Sequence, residues 1–132
     1  MEVEIYDQDA HFDLLVQWYL ARGEPAPITK LIPKLTVLAK DSAGYIASIS
    51  CYQDNSTCVC WFDWFIANPE RTHSAIARGS RVILDFLLGY LPGAGYNLCL
   101  ANVADPRLIK QLERRGFFVT QSHTQILAKP VS

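Results

Sequence analysis

Ile66-Ala67-Asn68-Pro69-Glu70-Arg71-Thr72-His73-Ser74-Ala75-Ile76-Ala77 is the stretch where the period of the chain changes: an apolar strand stops at Asn-Pro and a helix opens on small residues. A strand, a tight turn and a helix in that order predict an α/β domain. The junction also has a chemistry. Small side chains let backbone N–H groups come close to an anion, and the helix adds the positive end of its dipole. The same small residues suit close packing of a helix on a sheet, so the junction alone fits a plain connection more often than a phosphate cradle.

The elements on either side extend the pattern. Val3–Ile5 predicts a short strand, and Asp9 caps a helix whose apolar residues Phe12, Leu15, Val16, Tyr19 and Leu20 recur at three-four spacing until Gly23. Glu24-Pro25-Ala26-Pro27 breaks the chain, with one helical turn expected over Ile28–Ile32 before Pro33. Lys34–Lys40, Tyr45–Tyr52 and Thr57–Ala67 read as an antiparallel meander, with the third strand in the middle of the sheet because both its faces are apolar. A long helix over Arg71–Tyr90 follows, then a strand over Tyr96–Ala101. Asp105-Pro106 starts a last helix that Gly116 closes, and Phe117–Val119 and Thr124–Ala128 finish as strands.

The chain has 132 residues, 50% hydrophobic and 19% charged, which predicts a single domain over 1–132 with its own core. No apolar run reaches the roughly 18 residues that cross a bilayer, and Met1-Glu2-Val3-Glu4 is acidic where a secretory signal is basic. The cytoplasm is the expected location, without a membrane partner. Cys51, Cys58, Cys60 and Cys99 all fall in strand-like segments, as buried thiols of a reducing compartment do. A two-residue turn at Asp54-Asn55 would set Cys51 opposite Cys58. The cysteines lack the knuckle spacing of a zinc site, so no metal is expected, and His11 and His123 read as surface residues.

The net charge of −1 divides unevenly, with −5 on residues 1–66 and +4 on residues 67–132. Arg71, Arg78, Arg81, Arg107, Lys110, Arg114 and Arg115 are interleaved with acids, which suits a small phosphorylated ligand or a solvated surface and argues against nucleic acid.

Taken together, the C-terminal two-thirds resembles the GNAT superfamily of N-acetyltransferases. Ile66-Ala67-Asn68-Pro69 matches the family's strand end. Thr72-His73-Ser74-Ala75-Ile76-Ala77 stands at its (Gln/Arg)-x-x-Gly-x-(Gly/Ala) loop, and Arg115-Gly116-Phe117-Phe118 matches its Gly-Phe close. The compact length and Leu31-Ile32-Pro33 resemble the small GNAT-like proteins of tailed phages. The resemblance implies a GNAT-like mixed, mostly antiparallel central sheet flanked by helices. It also implies acetyl-CoA as co-substrate, with an amine of a small molecule or of a protein lysine or N-terminus as acceptor. A homodimer fits it as well, as does the host cytoplasm for a phage-encoded chain.

The departures are specific. Thr72 replaces Gln or Arg, His73 and Ala75 replace glycines, and only Ala77 fits the loop strictly, so the cradle is degenerate. Leu112 stands where many members carry the tyrosine that protonates the leaving thiolate, and Asp105 where an asparagine is frequent. The resemblance implies that the backbone of Ile66 and Ala67 receives the pantetheine arm. It gives the pyrophosphate to the Thr72, His73, Ser74, Ala75, Ile76 and Ala77 loop, with Arg71 or Arg78 as the cation. Arg107 and Lys110 would meet the outer phosphates, and Asn102 a pantetheine amide. Asp63 is the one carboxylate in Trp61-Phe62-Asp63-Trp64-Phe65. Desolvated among those aromatics it would be raised toward neutrality as a general base; pointing out of the sheet it would be an ordinary solvated acid. Three functions remain open: an acyl-CoA-dependent N-acetyltransferase, a catalytically silent GNAT-fold binding module, and a phage structural or host-interaction protein.

Overall fold

The computed structural model describes residues 1–131. Five strands form one sheet in the order of the chain: β1 (Glu2–Ile5), β2 (Thr36–Asp41), β3 (Gly44–Gln53), β4 (Val59–Ala67) and β5 (Leu98–Ala101). All neighbouring pairs are antiparallel except β4 and β5, which run parallel. Three helices cover it: α1 (Gln8–Ala21), α2 (His73–Tyr90) and α3 (Pro106–Glu113). This is the mixed, mostly antiparallel α/β fold expected above.

Period-two alternation splits the core in two. Val37, Ala39, Ala47, Ile49 and Phe62 point to the side of α2 and α3, where they meet Ile83, Leu84, Leu87, Leu108 and Leu112. Leu38 and Ile66 point to the other side and meet Leu15, Trp18 and Tyr19 of α1. The helix α2 lies close on the sheet at Gly79, where an added Cβ would stand 2.7 Å from Cγ2 of Ile46.

Several expectations are corrected. The middle strand is β3, with β4 one place from the edge. Asp7, not Asp9, caps α1 by accepting the Ala10 N–H at 3.1 Å, and the His11 ring accepts the Asp7 N–H at 2.8 Å in return. His11 is therefore buried, with Nε2 3.0 Å from Glu4, whereas His123 is exposed. The Glu4 carboxyl is held below its ordinary range by hydrogen bonds from Tyr45 and then His11. Cys51 faces Phe62 across the β3–β4 ladder rather than Cys58, because the connection is longer than a two-residue turn. Residues 117–131 form neither of the two predicted final strands.

Candidate functional site

The alternation of β4 breaks at one residue. Ser48 pairs with Ile66 and Ser50 with Asp63, so Ile49 opposes two residues, Trp64 and Phe65. This is a β-bulge, and Trp64 takes a left-handed φ of 56° to make it. A non-glycine residue in that region is strained and persists only where its surroundings hold it. Here two side chains do so. The Asp63 carboxylate accepts the Trp64 N–H at 2.8 Å, and the Tyr19 hydroxyl donates to the Trp64 carbonyl at 3.4 Å. The bulge also exchanges the faces: Ile66 joins the α1 side, which unbroken alternation from Phe62 would have denied it.

At the same level the sheet forks. The parallel ladder of β4 with β5 ends at Phe62 opposite Ala101, with the Asn102 N–H donating to the Phe62 carbonyl at 2.9 Å. Beyond this point β4 runs on to Ala67 while the chain of β5 turns away, and among the described residues no strand borders that edge. Asn102 stands at the vertex, its amide 3.4 Å from one Asp63 oxygen and 3.5 Å from the other. Asp63 is half-buried on the α1 side of the sheet.

The open edge of β4 leads into the start of α2. Asn68 shapes the turn: its amide donates to the Tyr45 carbonyl, and its side-chain oxygen accepts the Glu70 N–H, both at 3.0 Å. Thr72 caps α2 by accepting the Ala75 N–H at 3.2 Å, and its carbonyl takes the Ile76 N–H. The N–H groups of His73 and Ser74 stay free of intrahelical acceptors, as the first turn of a helix requires. Both residues are exposed, whereas the Ala75 side chain is 3% exposed and belongs to the core. Ala77 is half-buried one turn further on, and its carbonyl accepts a hydrogen bond from Gln111 of α3.

The cations divide into two kinds. Arg71 points away from the helix start and binds Asp41 at 2.6 Å and the Gly44 carbonyl at 3.1 Å, so its guanidinium ties the turn to the β2–β3 hairpin. That ion pair holds the Asp41 carboxyl below its ordinary range. Arg78 is exposed, with only a 3.4 Å contact to the Ser74 hydroxyl. Arg107, at the start of α3, reaches the Nδ1 of His73 and draws the two helix starts together. Leu112 is buried in the core.

On the α1 side of the fork lies an apolar pocket lined by Tyr19, Pro27, Ile28, Leu31, Trp64 and Ile66, with Ser48 and Ser50 on its floor. Burial pushes the Tyr19 phenol well above its ordinary range, and the nearby Asp63 charge adds to the shift. Tyr52, which the sequence did not mark, accepts the Trp64 indole N–H at 2.7 Å and donates to the Leu31 carbonyl, so it joins the bulge to the proline segment. Its alternation with Ser48 and Ser50 was the one available sign. Trp18 is buried against the sheet and does not line this pocket.

The structure thus sets Asp63 and Asn102 together at the vertex of the fork, leads the β4 stretch of Ile66 and Ala67 into the His73–Ser74 helix start, and turns Arg71 to Asp41 and Gly44 instead. The five-stranded, mostly antiparallel sheet flanked by three helices matches GNAT-like acetyltransferase structures in fold. The first comparison is the wild-type protein TTHA1254 of Thermus thermophilus, with a TM-score of 0.66 at 12% identity over 100% of both chains. An acetyltransferase of Trypanosoma brucei superposes with a TM-score of 0.64 at 10% identity, covering 96% of this chain and 99% of that one. An aminoglycoside N-acetyltransferase in complex with CoA gives 0.56 at 10% identity over 99% and 100%. No protein-family model matches the chain, and no curated protein matches its sequence.

Proposed function

We propose that this chain is an acyl-CoA-dependent N-acetyltransferase that moves the acetyl group of acetyl-CoA to an amine. The observation that carries the reading is the fork: a stretch of β4 backbone that no strand borders among the described residues, with the Ala67 carbonyl held by the Arg22 side chain at 2.8 Å, running directly into a helix start with free N–H groups. Such an edge accepts the two amides of a pantetheine arm as a strand would, near Ile66 and Ala67. The N–H groups of His73 and Ser74, with the dipole of α2, then receive the pyrophosphate, and Arg78 and Arg107 supply positive charge. The fold shared with acetyltransferase structures supports the same assignment.

The reaction needs a neutral amine. Asp63, or a water it orders, takes the proton from the substrate ammonium, and the amine attacks the thioester carbonyl. Backbone N–H groups at the cleft hold the oxyanion of the tetrahedral intermediate. Collapse breaks the C–S bond. With Leu112 in the core, the departing thiolate takes its proton from the former amine or from water. The acceptor enters from the α1 side, along the pocket of Tyr19, Trp64 and the proline segment.

The test is Asp63→Asn, which keeps an oxygen for the Trp64 N–H and so preserves the bulge. Turnover should fall roughly a hundredfold or more while acetyl-CoA affinity stays within a few-fold. Full turnover in the variant would reduce Asp63 to a staple of the bulge. Binding of coenzyme A without transfer to any amine offered would favour the silent binding module.

A further inference from the structure

The walls of the pocket on the α1 side carry no charge: no Lys, Arg, His, Asp or Glu lines it. Leu15, Pro27, Ile28, Leu31, Ile32 and Ile66 make it apolar and narrow. Four polar side chains also line it, and three of them are already engaged. The Tyr19 hydroxyl donates to the Trp64 carbonyl at 3.4 Å, the Trp64 indole N–H donates to the Tyr52 hydroxyl at 2.7 Å, and the Ser50 hydroxyl pairs with that of Thr36 at 2.9 Å. Only Ser48 is left to offer a hydroxyl, and it is buried. An occupant rich in hydroxyls, or bearing a carboxylate, would give up its water here and find almost no partner in exchange.

The acids beside the pocket suit a cation. Trp64 lines it, and the Trp64 N–H donates to the Asp63 carboxylate at 2.8 Å; Glu24 follows the end of α1, with its N–H on the Tyr19 carbonyl at 2.9 Å. Burial first, then the charges of Asp63 and Glu24, push the Tyr19 phenol up. The cations on the same segments stay out of the pocket: Lys30 is exposed, and Arg22 donates to the Ala67 carbonyl at 2.8 Å.

We propose that the acceptor is a primary ammonium on a slender, uncharged apolar body, a monoamine of the kind of 2-phenylethylamine, with its ring between the proline segment and Ile66 and its nitrogen toward Asp63. This rests on the acetyl-transfer reading above and narrows it from any amine to one class. Burial of the apolar body supplies the affinity, and the bare walls supply the selection against polar amines. In the transfer the amine nitrogen bonds to the acetyl carbon as the C–S bond breaks. One ammonium proton passes to Asp63 and on to water, and a second ends on the coenzyme A thiol.

The test offers the full chain acetyl-CoA with 2-phenylethylamine, L-phenylalanine, glucosamine or a lysine-containing peptide, and follows release of the coenzyme A thiol. Phenylalanine keeps the ring and adds a carboxylate, whereas glucosamine replaces the apolar body with hydroxyls. The kcat/KM for 2-phenylethylamine should exceed that for each of the others at least about a hundredfold. Leu31→Lys, at a lining position that is 46% exposed, sets a cation in the wall; it should lower that value about tenfold and shrink the lead over phenylalanine. Any of the other three matching 2-phenylethylamine overturns the proposal and leaves acetyl transfer standing. If none of the four reacts, it is the transfer reading that fails, and equilibrium dialysis of 2-phenylethylamine decides the pocket. Saturable binding that Leu31→Lys weakens at least about tenfold keeps this occupant, and its absence overturns it.

Discussion

Single residues set the cleft, and neighbours only one position apart play different parts. Ser74 and Ala75 are adjacent at the start of α2, yet Ser74 is exposed and Ala75 is core. Ser74→Asp should weaken acetyl-CoA binding about tenfold or more through repulsion of the pyrophosphate. Stability should hold or rise slightly, because an acid in the first turn favours the helix dipole. Ala75→Asp, by contrast, should lower the melting temperature by burying a carboxylate; thermal melts of the pair check the distinction. Gly79 is a packing residue: Gly79→Val should cost about 1–3 kcal/mol in denaturant unfolding, since Ile46 is β-branched and cannot give way. The thiols divide by burial. Cys58 is exposed while Cys51 and Cys60 are buried, and burial together with Cys60 pushes the Cys51 thiol up to about 12. An aromatic disulfide reagent should therefore titrate Cys58 rapidly in the native protein, and Cys51 and Cys60 only after unfolding.

At the scale of elements, one ion pair fixes the entrance to α2. Arg71 and Asp41 join the turn before the helix to the β2–β3 hairpin. The Asp41 carboxyl is lowered in the folded protein, so its contribution to stability is complete above the unfolded value of about 3.9 and is lost as pH falls through the folded one. Melting temperature should decline below that pH, and Asp41→Asn should make the decline shallower; an equal decline in the variant would deny the pair its role. Much of this level was legible in the sequence. The Asn68-Pro69 break and the run of small residues located the strand-to-helix turn, and the long helix, the meander and the Asp105-Pro106 start all formed where the pattern put them. The bulge was not legible, because both faces of this strand are apolar and leave no polar-apolar alternation whose break could mark it; only the partner strand shows that Ile49 opposes two residues. His11 was misread because its burial depends on Glu4 of β1 and Tyr45 of β3, which reach it from the sheet. The last two strands did not form: Thr124–Ala128 has the composition of a strand, but composition is context-dependent and among the described residues the segment pairs with no strand of the sheet.

In the whole molecule, a five-stranded sheet opens between β4 and β5, and the β4 arm of the opening leads to the start of α2. The fold provides the opening, and the substitutions of Thr72, His73 and Ala75 narrow what the loop offers an anion to two free N–H groups and neighbouring cations. Binding should thus be real and modest. The direct measurement is a calorimetric titration of acetyl-CoA into the full chain, with Ser74→Asp as its control. Saturable one-site binding with a dissociation constant between about 1 µM and 1 mM, weakened at least tenfold in the variant, is the predicted result. Absence of saturation at millimolar acetyl-CoA, or equal affinity in the two proteins, would contradict the placement of the cofactor in this cleft.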